Sequence, residues 1–275
     1  MKNKLLFLLT LMLTTHYGLA QDEYEYLEVK GPVKQVTSIR TINDHSQLMY
    51  GNQKVGGTQT KSIQWYNEDG RIAEDADYDY IGNLLGGVIY IYDSIGTSYT
   101  KRNYDKSGNV EADYCRFTCD ASNKPLLFKW YKDDSVYMAD SMIYNTQGKL
   151  LQKYSKFRRP EYILSEEHAY DSLGRLTKLA YIENGEAESG YTVNYKKDGN
   201  LEKIYFNKDN KASSKTLYIY NNEKQLVKTK DTNGSMNLSN FDKHGNWLTL
   251  SSDQFYTEMN ITINTTTTRI IEYYE

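Results

Sequence analysis

The amino-acid sequence predicts an all-β protein, an antiparallel meander of sequential hairpins. The composition favours strands, because the 27 tyrosines far outnumber the 7 phenylalanines and the mean hydropathy is low, at −0.73. Tyrosine suits pleated surfaces that are half exposed to water. Runs with apolar residues three and four positions apart, which mark amphipathic helices, are scarce. A short motif also recurs along most of the chain, and its form indicates turns between strands.

The recurring motif is an aromatic residue, then Asp or Asn, two free positions and Gly, as in the stretch YDSLGRL that begins at Tyr170. Asp or Asn at the first corner of a type I turn caps backbone N–H groups, and Gly near the end of the turn accepts a positive φ. Full matches begin at Tyr66, Tyr78, Tyr92, Tyr104, Tyr144, Tyr170 and Phe241. A purely structural role in turns is therefore predicted for Asp79, Gly82, Asp93, Gly96, Asp105, Gly108, Asn145, Gly148, Asp171, Gly174, Asp242 and Gly245.

The spacing of the motif defines a structural repeat. Weaker copies, several with Asn in place of Gly, fill the gaps between full matches, and the pattern recurs about every 25 residues as one hairpin with two turns. The chain then has about 14 strands, more than the roughly ten at which open sheets tend to curl or split. We predict one long twisted sheet, open or spiralling, rather than a closed propeller. Its free edges would be the segments Val33 to Ile42 and Arg269 to Tyr274.

Residues 1–20 have the form of a secretory signal peptide. Two lysines precede an apolar core at Leu5–Leu13, and small residues stand before the expected cleavage point at Gln21. The apolar core is shorter than the roughly 20 residues that a membrane-spanning helix needs. We expect the mature protein to be exported to the periplasm or the cell exterior, with no membrane span.

The mature chain, residues 21–275, is predicted to be a single β-repeat domain. It comprises N-terminal strands over 21–65, the repeats over 66–247 and C-terminal strands over 248–275. Proline is scarce, at 3 residues, and no Gly/Ser-rich linker divides the chain. About 255 residues are compatible with one large β domain.

Charge and cysteine content argue against several classes of protein. Without Lys2 and Lys4 the 33 basic residues become 31 against 36 acidic ones, a net charge of −5. Nucleic-acid binding requires a basic face, so no nucleic-acid partner is expected. Cys115 and Cys119 would be roughly 13 Å apart on an extended strand, which is too far for a disulfide. They are either free thiols or bridged across a tight turn.

Two acidic stretches are weaker candidates for a site. The run Glu74–Asp79 alternates carboxylates as a calcium loop does, but the glycine and the bidentate acid of such a loop are missing. Asp133 and Asp134 could act as acid and base on a sugar, yet adjacent residues on a strand point to opposite faces. The sequence therefore predicts no metal, no cofactor and no catalytic residues.

Aromatic side chains are the stronger candidates for binding a ligand. Trp65, Trp130 and Trp247 each lie on or next to a turn motif, and Tyr131 follows Trp130. Rings near the edge of a sheet can stack on sugars, or they can merely cap the ends of strands. We name Trp65, Trp130, Tyr131 and Trp247 as candidate ligand-binding residues.

The motif also carries a family resemblance. YDSLGRLTKL, YDYIGNLLGG, YDKSGNVEADY and FDKHGNW resemble the YD repeats of RHS-type secreted bacterial proteins, over Tyr66 to Trp247. The flanking stretches VKGPVKQVTSIR and IIEYYE resemble those of small exported YD-repeat proteins. In the large relatives such repeats wind into a β-shell around a toxin, and this chain is too short to enclose such cargo. The resemblance implies an exported β-repeat protein and suggests carbohydrate binding.

Together these observations predict a non-catalytic, exported scaffold that binds a glycan or a cell-surface protein through a face of its sheet. The alternative is a structural module that assembles, or weakly self-associates, through free sheet edges. An enzyme of unknown type is the third possibility.

Overall fold

The computed structural model describes residues 29–42, 49–50, 53–54, 59–79, 81–94, 98–121, 124–157, 161–256 and 261–274. The signal peptide predicted at residues 1–20 lies outside these ranges. Within them all regular structure is β, and every strand pairing is antiparallel. The described ranges contain no helix that could cross a bilayer. The strands are β1 (Val33–Ile42), β2 (Met49–Tyr50), β3 (Gln53–Lys54), β4 (Gln59–Tyr66), β5 (Ile72–Tyr78), β6 (Leu84–Tyr92), β7 (Ser98–Asp105), β8 (Val110–Cys119), β9 (Pro125–Lys132), β10 (Ser135–Tyr144), β11 (Leu150–Phe157), β12 (Ile163–Tyr170), β13 (Leu176–Glu183), β14 (Glu186–Tyr195), β15 (Leu201–Asn207), β16 (Ala212–Tyr220), β17 (Leu226–Lys230), β18 (Gly234–Phe241), β19 (Trp247–Tyr256) and β20 (Ile261–Tyr273).

The main sheet is closed. Strands β4 to β20 pair in sequence order, β20 then pairs with β1, and β1 pairs with β4. In the described chain these 18 strands form a ring in which every strand has two neighbours, while β2 and β3 form a separate small hairpin. The prediction of an open or spiralling sheet is therefore wrong.

The physical reason for the error is the pairing of the two predicted edges with each other. Strands β1 and β20 align from Val33 opposite Tyr273 to Ile42 opposite Thr265. An unpaired strand edge exposes N–H and C=O groups that invite another chain, and closure removes both edges at once. The structure thereby removes the free edges from which self-association was expected.

Turns alternate between the two ends of the ring because the strands are antiparallel. We call one end the clamp end, because tyrosine hydroxyls there join neighbouring turns. It carries the turns that follow β4, β6, β8, β10, β12, β14, β16 and β18. The remaining turns lie at the far end.

The recurring motif forms a capped turn. In the turn that begins at Tyr170, Asp171 Oδ1 accepts the N–H groups of Leu173 and Arg175, each at 2.9 Å. The Gly174 N–H donates to the Asp171 carbonyl at 2.9 Å, and Gly174 has a φ of 73°. The same geometry is found for Asp79 with Gly82, Asp105 with Gly108, Asn145 with Gly148 and Asp242 with Gly245. Asp93 instead accepts the Ser98 hydroxyl at 2.8 Å, and Gly96 lies outside the described residues.

Tyrosine hydroxyls connect successive repeats at the clamp end. The Tyr170 hydroxyl donates to the carbonyl of Leu150, the first residue after the preceding clamp-end turn, at 2.8 Å. The same bond joins Tyr92 to Ile72 at 2.8 Å, Tyr144 to Pro125 at 2.7 Å and Tyr195 to Leu176 at 3.1 Å. Burial raises the pKa of Tyr92 and of Tyr144 to about 12. Both hydroxyls therefore remain protonated donors across the physiological pH range.

The ring closes at the clamp end through a turn divided between the two chain ends. The Tyr274 N–H donates to the Pro32 carbonyl at 2.8 Å. In the continuous turn that begins at Tyr170, the equivalent bond joins the Asp171 N–H to the Arg175 carbonyl. Val33 pairs with Tyr273 just as Leu176 pairs with Tyr170. In both pairs the strand then has one unpaired bulge residue, Lys34 after Val33 and Thr177 after Leu176. Gly31, with a φ of 93°, occupies the glycine position. We call this arrangement of residues 30–33 and 273–274 the split turn.

Asn246 holds the split turn together from the adjacent turn. Its carboxamide accepts the Lys30 N–H at 2.6 Å and donates to the Lys30 carbonyl at 2.9 Å and to the Tyr273 hydroxyl at 2.9 Å. The Tyr273 hydroxyl in turn donates to the carboxylate of Asp242. Asn246 is 2% exposed, so these bonds are shielded from water.

The inner face of the ring is identified by alternating burial along the strands. On β12, Glu166 and His168 are buried, whereas Glu167 and Ala169 are exposed. The face that carries Glu166 also carries the main apolar cluster, made of Leu176, Leu179, Tyr191 and Val193 on β13 and β14. A second cluster of Leu226, Leu238 and Trp247 lies on β17 to β19.

The tyrosine bonds at the clamp end predict a specific cost of removing one hydroxyl. Tyr170→Phe should lower the free energy of unfolding by about 1 kcal/mol, because the Leu150 carbonyl loses its donor while the ring is kept. Urea titration of both proteins measures the change. Tyr162→Phe is the control, since Tyr162 is 41% exposed and opens no turn motif. Equal losses from the two changes would contradict a role for the hydroxyl bond.

The split turn predicts a difference between two asparagines at equivalent turn positions. Asn246→Ala should cost about 2 kcal/mol, because it removes the buried carboxamide that binds the Lys30 backbone and the Tyr273 hydroxyl. Asn109 caps Asp105 in an exposed continuous turn, with Nδ2 3.2 Å from Oδ2. Asn109→Ala should therefore cost clearly less. If thermal unfolding shows Asn246→Ala to be no more harmful than Asn109→Ala, the split turn does not secure the ring.

Candidate functional site

The structure separates the predicted ligand-binding aromatics. Trp65 is half-buried on the outer face of β4, opposite Gln35 and Glu74. Trp247 is 5% exposed on β19, with the Arg269 guanidinium 3.6 Å from its ring centroid. Only Trp130 and Tyr131 are neighbours, at the far end of β9. The strongest candidate surface is therefore around the far end of this strand.

Three aromatic rings gather there on adjacent strands. Trp130 lies 5.6 Å from Tyr137 between ring centroids, and Tyr137 lies 5.0 Å from Phe157, both in edge-to-face geometry. Trp130 is 38% and Phe157 is 47% exposed, values that are high for side chains of this size. We call Trp130, Tyr137 and Phe157 the rim cluster. Such a group of rings offers apolar, planar surface to a ligand.

Local strand irregularity places Tyr137 between the other two rings. The register shifts between Val136, opposite Tyr131, and Met138, opposite Trp130, so Tyr137 is the extra residue of a β-bulge. Bulges re-aim side chains and are common next to binding sites. The rim cluster is therefore a built feature of the β9–β10 hairpin.

Asp133 and Asp134 form the tip of the same hairpin. Their φ angles are 48° and 58°, and two consecutive positive φ values are the mark of a two-residue type I′ turn. The prediction had treated them as strand residues that point to opposite faces. They are instead exposed turn residues, and the tight turn that they form places Lys132 opposite Ser135.

Tyr131 faces outward, away from Trp130. It stacks on Tyr114 of β8, with ring centroids 4.6 Å apart and an interplanar angle of 8°. The Arg102 guanidinium lies 4.6 Å from the centroid of the Tyr114 ring. This outer stack is separate from the rim cluster but lies at the same end of the same strands.

A buried ionic cluster lies on the inner face of β10 to β12. Lys153 Nζ is 2.5 Å from Glu166 Oε1 and 3.8 Å from Asp140 Oδ2. His168 Nε2 is 3.4 Å from Glu166 Oε2, a contact that is ionic only when the histidine is protonated and that is not an aligned hydrogen bond. Asp140 and Ser155 form the cross-strand pair two residues inward from Met138 and Phe157. The ionic cluster therefore begins roughly 7 Å below the rim cluster on the same face.

The charges of this cluster depend on one another. Burial raises the pKa of Glu166, but the interactions with His168 and Lys153 outweigh burial and hold it below its usual value. Buried charges are tolerated when they are paired, and removing one partner is strongly destabilising. The cluster ties three strands together and supports the bulged hairpin above it.

The acidic run Glu74–Asp79 is divided by the structure. Asp75 and Asp77 share a face of β5, Glu74 binds the Tyr104 hydroxyl at 2.7 Å, and Asp79 caps a turn. Burial and the charge of Asp75 raise the pKa of Asp77 to about 6. In the described chain no three His, Cys, Asp or Glu side chains are placed to hold a metal ion.

Cys115 and Cys119 are both free thiols on β8. The strand continues through both residues, so no tight turn brings them together. Burial raises the pKa of Cys115 to about 11, which keeps it protonated and unreactive near neutral pH.

Tyr137, Phe157 and the ionic cluster were not predicted from the sequence. Asp140 stands between Met138 and Met142 at alternate positions of β10, and this pattern was the available sign of a carboxylate on an apolar face. No comparable sign marked the bulge at Tyr137, because bulges follow from the register of both strands.

Comparisons with known proteins leave the family open. No protein-family model matches the sequence, and no curated protein is significantly similar to it. A porin-like protein from Bacteroides uniformis aligns with a TM-score of 0.45 and 9% identity, over 88% of this chain and 97% of that one. The TcdB2-TccC3-Cdc42 structure gives 0.28 and 11%, over 76% of this chain but 15% of that one. A Photorhabdus luminescens Tc holotoxin pore gives 0.24 and 11%, over 74% and 14%.

This chain thus spans only a small part of the toxin chains, and likenesses at these TM-scores assign neither family nor function. The resemblance to YD-repeat proteins remains a prediction.

The ionic cluster predicts how stability depends on pH. Because the folded-state pKa of Glu166 is depressed, its stabilising contribution is present above the unfolded pKa and is lost as pH falls through the folded value. Glu166→Gln should cost about 3 kcal/mol at neutral pH, since Lys153 loses the nearer of its two carboxylates. The difference from the unmodified protein should shrink on acidification below about pH 4. Urea titrations across that range measure it, with the exposed Glu167→Gln as the control, and a pH-independent difference would contradict the ion-pair role.

Proposed function

We propose that this protein is an exported, non-catalytic β-repeat scaffold that binds a glycan at the far end of β8 to β11. The observation that carries the proposal is the rim cluster, in which Trp130, Tyr137 and Phe157 form an exposed aromatic surface held by a bulge. The export signal predicted at residues 1–20 is part of the proposal, because it would bring the protein into contact with envelope or extracellular polysaccharide.

The setting of the rim cluster suits a sugar. Sugar-binding surfaces combine flat apolar area with a few polar groups, as small-ligand sites do in general. Asp133 and Asp134 at the hairpin tip are exposed and adjacent in the chain to this aromatic surface. Their carboxylates can accept hydrogen bonds from hydroxyl groups, while the rings contact the apolar face of a pyranose.

A glycan is a better match for the rim cluster than a protein. Stable protein interfaces bury about 800 Å² on each partner, usually over 20 or more residues. The rim cluster has three rings, bordered by the charged residues Lys132, Asp133 and Asp134. A surface of this size fits one or a few sugar units.

Binding should depend on one tryptophan and not on another. We expect Trp130→Ala to weaken binding to a recognised polysaccharide by about tenfold or more, as loss of an aromatic anchor does at interfaces. Trp65→Ala is the matched control, because Trp65 lies at the clamp end on the outer face. Glycan arrays followed by calorimetric titration of the mature protein measure both variants.

Circular dichroism and thermal unfolding establish that each variant is folded before binding is compared. Equal loss of binding in the two variants, or no binding to any polysaccharide by the unmodified protein, would overturn the proposal.

A further inference from the structure

Basic side chains form a row on the outer face of β8 to β11. Arg116 on β8 pairs directly with Lys129 on β9, Lys129 pairs with Ala139 on β10, and Ala139 pairs with Lys156 on β11. Directly paired residues of antiparallel strands project from the same face. The row spans three strand spacings, or roughly 14 Å. Ala139 is 1% exposed, so the flanking side chains cover it.

The next outward-facing set of paired residues, two positions nearer the far end, adds a fourth cation and two aromatic rings. Arg102 on β7 pairs with Tyr114, and Tyr114 pairs with Tyr131. These are the residues of the outer stack, in which Arg102 lies over the Tyr114 ring and the two tyrosines are parallel. We call Arg102, Arg116, Lys129, Lys156, Tyr114 and Tyr131 the cationic face.

None of the four cations has an acidic partner in the described chain. Some exposed lysines elsewhere on the sheet are matched to carboxylates, as Lys196 and Lys215 are to Glu202, each at 3.7 Å. No such pair includes Arg102, Arg116, Lys129 or Lys156. Like charges directly opposite each other destabilise a sheet, so the arrangement is unfavourable for folding alone. It is also unexpected in a chain whose net charge is −3.

We infer that the glycan bound by this protein is acidic, a polysaccharide with carboxylate or sulfate groups that lies across the cationic face. This inference rests on the proposed function, since it names the class of glycan. The charges of the row run across the strands in a line, which matches an extended chain with a charge on each repeating unit. Tyr114 and Tyr131 supply hydroxyl groups beside the cations, and Trp130, at the same end of β9, lies on the opposite face.

Other polyanions fit the cationic face less well. Duplex nucleic acid presents a dense charge over a wide surface, and a protein with a net charge of −3 repels it outside the narrow row. An anionic membrane favours a basic patch with apolar side chains that can insert between lipids. The tyrosine rings of the cationic face are stacked on each other and present hydroxyl groups at their tips.

The test compares acidic with neutral polysaccharides on the mature protein. Polygalacturonate and chondroitin sulfate are the acidic probes, and dextran and laminarin are the neutral ones. We expect tighter binding of at least one acidic probe, weakened about tenfold when salt rises from about 50 to about 200 mM. The double change Arg116→Gln with Lys156→Gln should abolish most of that binding.

Lys197→Gln with Lys208→Gln is the matched control, because both lysines lie in exposed turns away from β7 to β11 and lose the same charge. This control should leave binding unchanged.

The outcomes separate the inference from the proposed function. If neutral probes bind as tightly as acidic ones, without salt dependence and without an effect of the row variants, the inference is overturned and the glycan-binding function stands. If no polysaccharide of either kind binds, both fail. Binding confined to duplex DNA or to phosphatidylserine vesicles also overturns the inference. Selective, salt-sensitive binding that the row variants lose and the control keeps supports it.

Discussion

The pairing of the chain ends is the constraint on which the rest of the structure depends. Strand β1 bonds on one side to β4 and on the other to β20, so it is the single element that makes neighbours of the first and last repeats. The split turn then reproduces the hydrogen bond, the glycine and the strand register of a continuous turn with residues from both ends of the chain. A meander without this junction would leave two long strand edges exposed to other chains. Closure therefore converts a row of local hairpins into one cooperative ring.

The abundance of tyrosine follows from the architecture of the repeats. At the clamp end a motif tyrosine has its ring on the sheet and its hydroxyl on a carbonyl of the previous repeat, as in Tyr170 with Leu150. Phenylalanine would fill the space but leave the carbonyl unpaired. Arginines at the end of the preceding turn then stack on the same rings, as Arg175 does on Tyr195 at 4.2 Å. The clamp end thus uses its aromatic and polar groups to hold neighbouring turns together, whereas Trp130 and Phe157 remain exposed at the far end of β9 to β11.

The sequence allowed the local features of the fold to be predicted, because turn chemistry is local. Asp171 and Gly174 act within five residues of each other, and their spacing alone indicates a turn and the strands beside it. The closure of the sheet could not be predicted from local spacing. It depends on the pairing of β1 with β20, which are more than 200 residues apart in the chain. The candidate site shows the same division. Trp130 and Tyr131 stood out by residue type, whereas Tyr137 and Phe157 join Trp130 only because a bulge on β10 aligns them.

The two faces of β10 and β11 show how this sheet deals with charge. On the inner face Lys153 lies between Asp140 and Glu166, because an unpaired ammonium in a dry environment would be costly. On the outer face Lys129 of β9 and Lys156 of β11 have no carboxylate partner in the described chain, and only Ala139 of β10 stands between them. Solvent makes that repulsion tolerable, and the residues directly opposite the two lysines, Arg116 and Ala139, supply no carboxylate. The inner charges are therefore accounted for by the fold, and the unpaired outer charges are the observation on which the inferred acidic ligand rests.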